Sequence, residues 1–291
     1  MVMAVAPGYS QAISWEEAAA GLRGAVDVHV HSLPDSEPRS IDAFEIARLA
    51  KRYGMRALLF KNHNTHTASL AYLVSQAVPG IEVYGGIALN NTVGGINPNA
   101  VEHMARTTGR LGRVVWMPTR DAGSVPISRD GELLPEVKEV LAVMARENLS
   151  LATGHSSPED ALLLIREGRA MGIDRILVTH PMARNVSMTL EQQREAAGQG
   201  AYLEYCFNHV FPVSRGELRE EGPSLEAVAT AIRAVGTEQA ILSTDLGQQL
   251  NPVHTDGMIS FILMLREQGF TEEEVDLMVK TNPARFLGLE L

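Results

Sequence analysis

The sequence predicts an α/β protein folded as a single (β/α)8 TIM barrel occupying 1–291 as one domain. Strand-like and helix-like segments alternate through eight units without a Pro/Gly/Ser-rich linker between them. No Gly-rich phosphate turn follows the first strand, as a doubly wound open sheet would require. Several strand-like runs also end on a residue able to bind metal, as expected where chemistry gathers at the C-terminal ends of barrel strands.

The elements follow in order. Ser14-Trp15-Glu16-Glu17 reads as a capping box opening a short helix that ends at Gly21 or Gly24, within an N-terminal helical extension over 1–24. The first strand, 25–31, contains Asp27-Val28-His29-Val30-His31. Strict alternation would place Asp27, His29 and His31 on one face and the valines on the other. A turn-rich loop from Ser32 to Ser40 leads to a helix over 41–53, stopped at Gly54. Strand two is 56–60 and runs into Lys61; helix 67–78, strand 81–88 and helix 98–109 come next, the last opened by Pro98. Strand four is 114–117, its helix 135–148, and strand five 149–153 ends at His155. Ser157-Pro158-Glu159-Asp160 combines an N-cap serine, a proline at the first position and acids in the first turn. Strand six, 175–179, ends at His180, and Thr189 caps the following helix. Strand seven is 201–205, Ser224 caps helix seven, and strand eight, 239–244, ends at Asp245. Thr271-Glu272-Glu273-Glu274 caps the last amphipathic helix, within 271–291.

Composition narrows the function. A hydrophobic content of 45% with 21% charged residues suits a chain with a sizeable buried core. The formal charge of −10 argues against a nucleic-acid partner, which would favour a basic face. Cys206 is the only cysteine, so no intrachain disulfide framework exists, and a reducing compartment fits. No apolar run approaches the roughly 18 residues that would span a bilayer, and Met1 to Pro7 lacks a basic leader. The expectation is a cytoplasmic protein acting on a small-molecule substrate, with neither a nucleic-acid nor a membrane partner and with a homo-oligomer possible.

In a barrel, His29 and His31, Lys61, His155, His180 and Asp245 converge on one rim, because each follows the C-terminal end of a different strand or shares one. Two imidazoles one pleat apart can hold one metal ion. Four imidazoles and a carboxylate suit Zn2+, or Mn2+, Fe2+ or Co2+.

The chain resembles the metal-dependent amidohydrolase superfamily. The resemblance lies in Asp-Val-His-Val-His at 27–31, Thr-Gly-His at 153–155, Val-Thr-His-Pro at 178–181, Ser-Thr-Asp at 243–245 and the closing Thr281-Asn282-Pro283-Ala284-Arg285-Phe286-Leu287-Gly288-Leu289. It implies metal binding by His29, His31 and His155 or His180, with Asp245 holding metal and shuttling protons. It also implies hydrolysis of an amide, ester, lactone or similar bond, with decarboxylation or hydration as the minority outcome. In that scheme the metal activates water, Asp245 moves the proton, and His180 or His155, whichever is not a ligand, stabilises the oxyanion. A non-enzymatic metal-binding protein would keep the histidines but have no use for Asp245.

The chain departs from the superfamily at the bridging position. Strand four ends Trp116-Met117-Pro118-Thr119-Arg120-Asp121, without the usual lysine or glutamate. Lys61, after strand two, is either a carboxylated bridge between two metals or an ammonium gripping a substrate anion, so one ion or two stays open. His63 and His66 lie in a polar stretch that reads as a substrate loop or as a polar helix start. Arg120, Arg184 and Arg215 follow strands four, six and seven and could clamp a carboxylate or phosphate. Asn90, Asn91, Asn208 and His209 read as pocket lining, and Glu204 as a rim acid or a core carboxylate paired to an arginine.

Overall fold

The computed structural model describes residues 13–211, 213–214, 217–218 and 222–290. Eight parallel strands run in chain order around the sheet: β1 (Val26–Val30), β2 (Ala57–Phe60), β3 (Glu82–Ala88), β4 (Gly112–Trp116), β5 (Ser150–Ala152), β6 (Ile176–Val178), β7 (Tyr202–Cys206) and β8 (Ala240–Ser243). Each hydrogen-bonds to the next. The ring closes just beyond β8, where Val30 bridges Leu246 and Asp245 N donates to His29 O at 3.0 Å. The single (β/α)8 barrel expected from the alternation is the fold observed.

Helices start where the sequence places their caps. Ser14 and Glu17, Thr189 and Gln192, and Thr271 and Glu274 form reciprocal capping boxes. Asp42, Ser157 and Ser224 each accept backbone N–H bonds at their helix starts. One helix escaped sequence reading: His254–Glu267 follows β8 and supplies the eighth outer helix. It lacks a side-chain cap and buries residues on more than one side, so no amphipathic stripe marks it.

Two cores result. The outer one lies between strands and helices. The inner one fills the barrel with Val26, Leu59, Trp116, Leu177 and Ile241, and is floored by Phe286 and Leu287 of the C-terminal segment. Ser150 Oγ donates to Phe286 O at 2.5 Å, and Asn282 Nδ2 donates to Thr237 O and Ala240 O, both at 2.8 Å. The floor is thereby pinned at the N-terminal ends of the strands, leaving the opposite end open for chemistry. Trp116 has room because of Gly86, where a Cβ would lie 2.5 Å from the indole and 2.3 Å from Val114 O. No helix among the described residues is long and apolar enough to cross a membrane.

Candidate metal centre

The centre begins with an irregularity in β1. Asp27 pairs with Leu58 and Val30 with Phe60, so three residues of β1 advance against two of β2. This bulge corrects the simple alternation expected for 27–31. Val26 and Val28 belong to the barrel filling, Val30 to the outer core. Asp27 turns to β8, accepting from Thr244 Oγ1 at 2.6 Å and from Thr244 N and His29 N at 3.1 Å each. Complete burial pushes its carboxyl up to about 6, against those hydrogen bonds. His29 and His31 stay together, with ring centroids 5.3 Å apart.

Asp245 sits between them. Its Oδ1 lies 3.1 Å from His29 Nε2 and 3.2 Å from His31 Nε2, and its Oδ2 lies 3.2 Å from His209 Nε2. The backbone that presents it is unusual: Asp245 has φ 50° and His180 φ 26°, in the left-handed region L-residues seldom occupy. Gly247, at φ 118°, lets the following chain lie against β1, since a Cβ there would fall 2.0 Å from His31 O. Burial would raise the Asp245 carboxyl, but the His29 charge and hydrogen bonds from His209, His29 and His31 hold it well below the usual carboxylate range. Burial likewise favours neutral His29, yet Asp245 and Glu204 outweigh both burial and Lys61 and lift it to about 9. His31, where burial dominates, falls to about 3.

Beneath His29 lies a support layer. Its Nδ1 is 3.0 Å from Glu204 Oε1; a carboxylate accepts, so this nitrogen carries the proton and Nε2 is aimed at Asp245. Ser243 Oγ also donates to Glu204 Oε1 at 2.8 Å, and Cys206 Sγ lies 3.3 Å from Ser243 Oγ. The partner of Glu204 is thus a histidine, not an arginine. Its Oε2 is buried without a partner among the described residues. Lys61 is buried, with Nζ 2.9 Å from His29 Nε2 and 5.3 Å from the centroid of the Trp116 ring. Burial lowers its pKa, against Asp245 and Glu204.

This crowding tests the fit of a metal. His29 Nε2 faces Asp245 Oδ1 and Lys61 Nζ at once but has only one lone pair or one proton, and so satisfies one of them at a time. A cation taken by Nε2 and Oδ1 resolves the conflict. The ligand atoms of His29, His31 and Asp245 all lie within 4.8 Å of one another, and those of His180, His209 and Asp245 form a second such set. The two sets share Asp245, whose Oδ1 faces the strand-one pair and whose Oδ2 faces His209. A third set, His29, Glu204 and Cys206, is the support layer itself. His31 Nδ1 and His180 Nδ1 are buried without partners among the described residues. These N and O donors fit a divalent ion.

A cavity of about 130 Å3 brings together His29, His31, Lys61, His155, His180 and Asp245, and His63 and Arg120 also line it. His155 stands in none of these donor sets but packs on His180, centroids 4.9 Å apart, and burial lowers it to about 3. His180, 4.7 Å from the His209 ring, is held well below its ordinary value by burial. His63 stacks on His31 at 5.0 Å and pairs with Thr119 Oγ1 at 2.8 Å; burial drives its pKa far down. Asn90 ties these loops, donating to His63 O and Thr119 Oγ1 at 2.8 Å each. Half-buried His66 and exposed Arg184 do not line the cavity, whereas Asn185 does. Arg215 lies outside the described residues. Sequence reading overlooked Arg39 and Gln248 and took His209 as lining only; its place just past the end of β7 was the available signal.

The sequence profile of a family of unknown function, DUF6282, matches residues 24–204, from the start of β1 into β7. The chain belongs to DUF6282. No curated protein matches this DUF6282 chain. Among solved structures, an amidohydrolase from Pseudomonas aeruginosa is similar at 14% identity and TM-score 0.66, covering 94% of this chain and 98% of that one. An organophosphorus hydrolase from Deinococcus radiodurans is similar at 18% identity and TM-score 0.62, covering 92% and 94%. A mutant of a PTE-like lactonase from Deinococcus radiodurans gives 18%, 0.61, 92% and 97%. At these identities the likeness is one of fold alone, a (β/α)8 barrel shared with these enzymes.

Proposed function

We propose that this DUF6282 protein is a metal-dependent hydrolase acting on an amide, ester, lactone or similar bond of a small molecule. The observation that carries the reading is the meeting of His29 Nε2, His31 Nε2 and Asp245 Oδ1, with the other nitrogen of His29 committed to Glu204. His29, His31 and Asp245 would hold the ion, with Zn2+ favoured by the two-imidazole, one-carboxylate donor set and Mn2+, Fe2+ or Co2+ as alternatives. His180 and His209, with the second oxygen of Asp245, would hold a second ion if two are bound. The ion, when bound, supplies Lewis acidity that polarises the scissile group and lowers the pKa of water.

The chain's own groups do the remaining work. Asp245, kept ionised by the surrounding imidazoles, accepts a proton from water and returns it to the leaving group. Its left-handed backbone fixes the carboxylate where both oxygens are within reach of different imidazoles. His155 and His180 are neutral N–H donors at neutral pH and suit a developing oxyanion. That role falls to His155 where His180 is a ligand.

Asp245→Asn tests the reading. On a panel of lactones, esters and amides, turnover should fall by about 10^2- to 10^4-fold, with the far-UV spectrum kept. Metal-stimulated turnover that survives the substitution would overturn it, as would wild-type protein inactive on the whole panel with each of the four metals. A decarboxylase or hydratase of the same fold would be recognised by products of carboxylated substrates in the same panel.

A further inference from the structure

We propose that Arg39 and Arg120 form a carboxylate-binding subsite at the mouth of the metal centre, so that the substrate is a carboxylate-bearing ester, lactone or amide. As a statement about substrate, this rests on the hydrolase reading above. An outer cavity of about 450 Å3 adjoins the site cavity, and the two share Arg39, Arg120 and Gln248. A molecule occupying both would meet both guanidiniums.

The two arginines are built in rather than merely nearby. The Arg39 side chain is only 4% exposed; its Nε donates to Asp35 Oδ2 at 2.7 Å, while Nη2, in ion-pair range of the same oxygen, has no hydrogen-bond partner among the described residues. Arg120 Nη2 donates to Glu37 Oε2 at 2.6 Å, leaving its other nitrogens outside that pair. Asp35 and Glu37 belong to the same loop, and that loop is fastened to the segment carrying Asp245. Arg39 bridges Gln248, Ser40 N donates to Gly247 O at 2.9 Å, and Gln248 Nε2 donates to Asp245 O at 2.8 Å. The arginines and Asp245 therefore sit at fixed spacing, the preorganisation a two-point substrate requires.

The charge at the mouth is balanced in pairs, Arg39 with Asp35 and Arg120 with Glu37. Asp245, the only carboxylate lining the inner cavity among the described residues, is engaged by His29, His31 and His209, so it does not compete with a substrate for the guanidinium nitrogens that those pairs leave over. The planar fork of a guanidinium matches a carboxylate, which it holds through two parallel N–H···O bonds.

The test titrates succinate, with succinamide as its neutral counterpart, into the Zn2+-loaded protein by calorimetry at low salt. Succinate should bind and succinamide should not. Arg39→Met and Arg120→Met should each weaken succinate by about 10- to 100-fold with unchanged Zn2+ stoichiometry, and Arg39→Lys should fall between. Wild-type affinity for succinate in both methionine variants, equal binding of succinamide, or no succinate binding to wild type would overturn the subsite. Arg120 is half-exposed, so Arg120→Met reads the subsite even if the buried Arg39 variant fails to fold. The same titration on His29→Ala/His31→Ala protein separates the two readings. Succinate binding kept there supports the subsite by itself, while wild-type protein that takes up no metal would remove the hydrolase reading without touching it.

Discussion

Glu204→Gln should weaken metal binding. Glu204 is completely buried inside β7, and its carboxylate does two things: it accepts the Nδ1 proton of His29 at 3.0 Å and is itself held by Ser243 at 2.8 Å. The first fixes the tautomer that leaves Nε2 free for a cation and makes that nitrogen more basic. Replacing the carboxylate by an amide keeps the shape but removes the charge, and supporting contacts of this kind are worth about 10- to 100-fold in metal affinity, or about 1.4 to 2.7 kcal/mol. In the metal-free protein the same carboxylate helps keep His29 protonated, so its loss leaves a buried imidazolium with one partner fewer. The assay is competition against a zinc chelator of known affinity, alongside thermal unfolding of the metal-free form. The expected result is a Zn2+ Kd raised by about 10- to 100-fold with a lowered unfolding temperature of the metal-free form. Ser243→Ala should shift the Kd the same way by about fivefold. A Glu204→Gln protein that binds Zn2+ like wild type would refute the assignment of Glu204 as the group that positions His29.

If Lys61 is a carboxylated bridge between two ions, Lys61→Ala should lower metal content by half. Its Nζ lies 2.9 Å from His29 Nε2, where an ammonium would repel a bound dication. Unchanged metal with a raised KM would return it to the role of an anion-binding ammonium, as read from elemental analysis beside steady-state kinetics. His254, packed behind Asp245 through Leu246, gives a pH dependence of stability. Burial lowers it to about 4, against its hydrogen bond to Leu246 O. Because its folded pKa lies below the unfolded value of about 6.5, the native state resists the proton and stability is lost as pH falls, starting near 6.5 and complete near 4. The gap amounts to about 3 kcal/mol. His254→Gln should flatten urea midpoints between pH 7 and 4 relative to wild type, and parallel profiles would refute it.

Much of this was legible from residues because a barrel strand ends where its apolar run meets a polar side chain. That is how His31, Lys61, His155, His180 and Asp245 could be placed on a common rim before any coordinates. Caps at Ser14, Ser157, Thr189 and Thr271 were equally plain, since each satisfies a local backbone need. What stayed hidden depends on partners distant in sequence. The bulge in β1 is a matter of register with β2, so alternation within 27–31 could not reveal that Asp27 serves Thr244. Glu204 meets His29 only because closure of the barrel brings β7 within one strand of β1, with β8 between them. Arg39 lies eight residues beyond His31 in a turn-rich loop and reaches the cavity only through its pairing with the chain after β8. The helix His254–Glu267 failed to register because burial on several sides erases the stripe by which helices are recognised.

The central claim is that His29 and His31 hold a catalytic divalent ion with Asp245. Metal content of protein refolded or expressed with Zn2+ and freed of loose ions, compared between wild type and His29→Ala/His31→Ala, tests it most directly. The account predicts one or two tightly held equivalents in wild type and, because losing two of about four ligands removes most of the chelate, loss of the ion at that site in a double variant whose barrel still folds. A folded double variant that retains the full wild-type stoichiometry would contradict it.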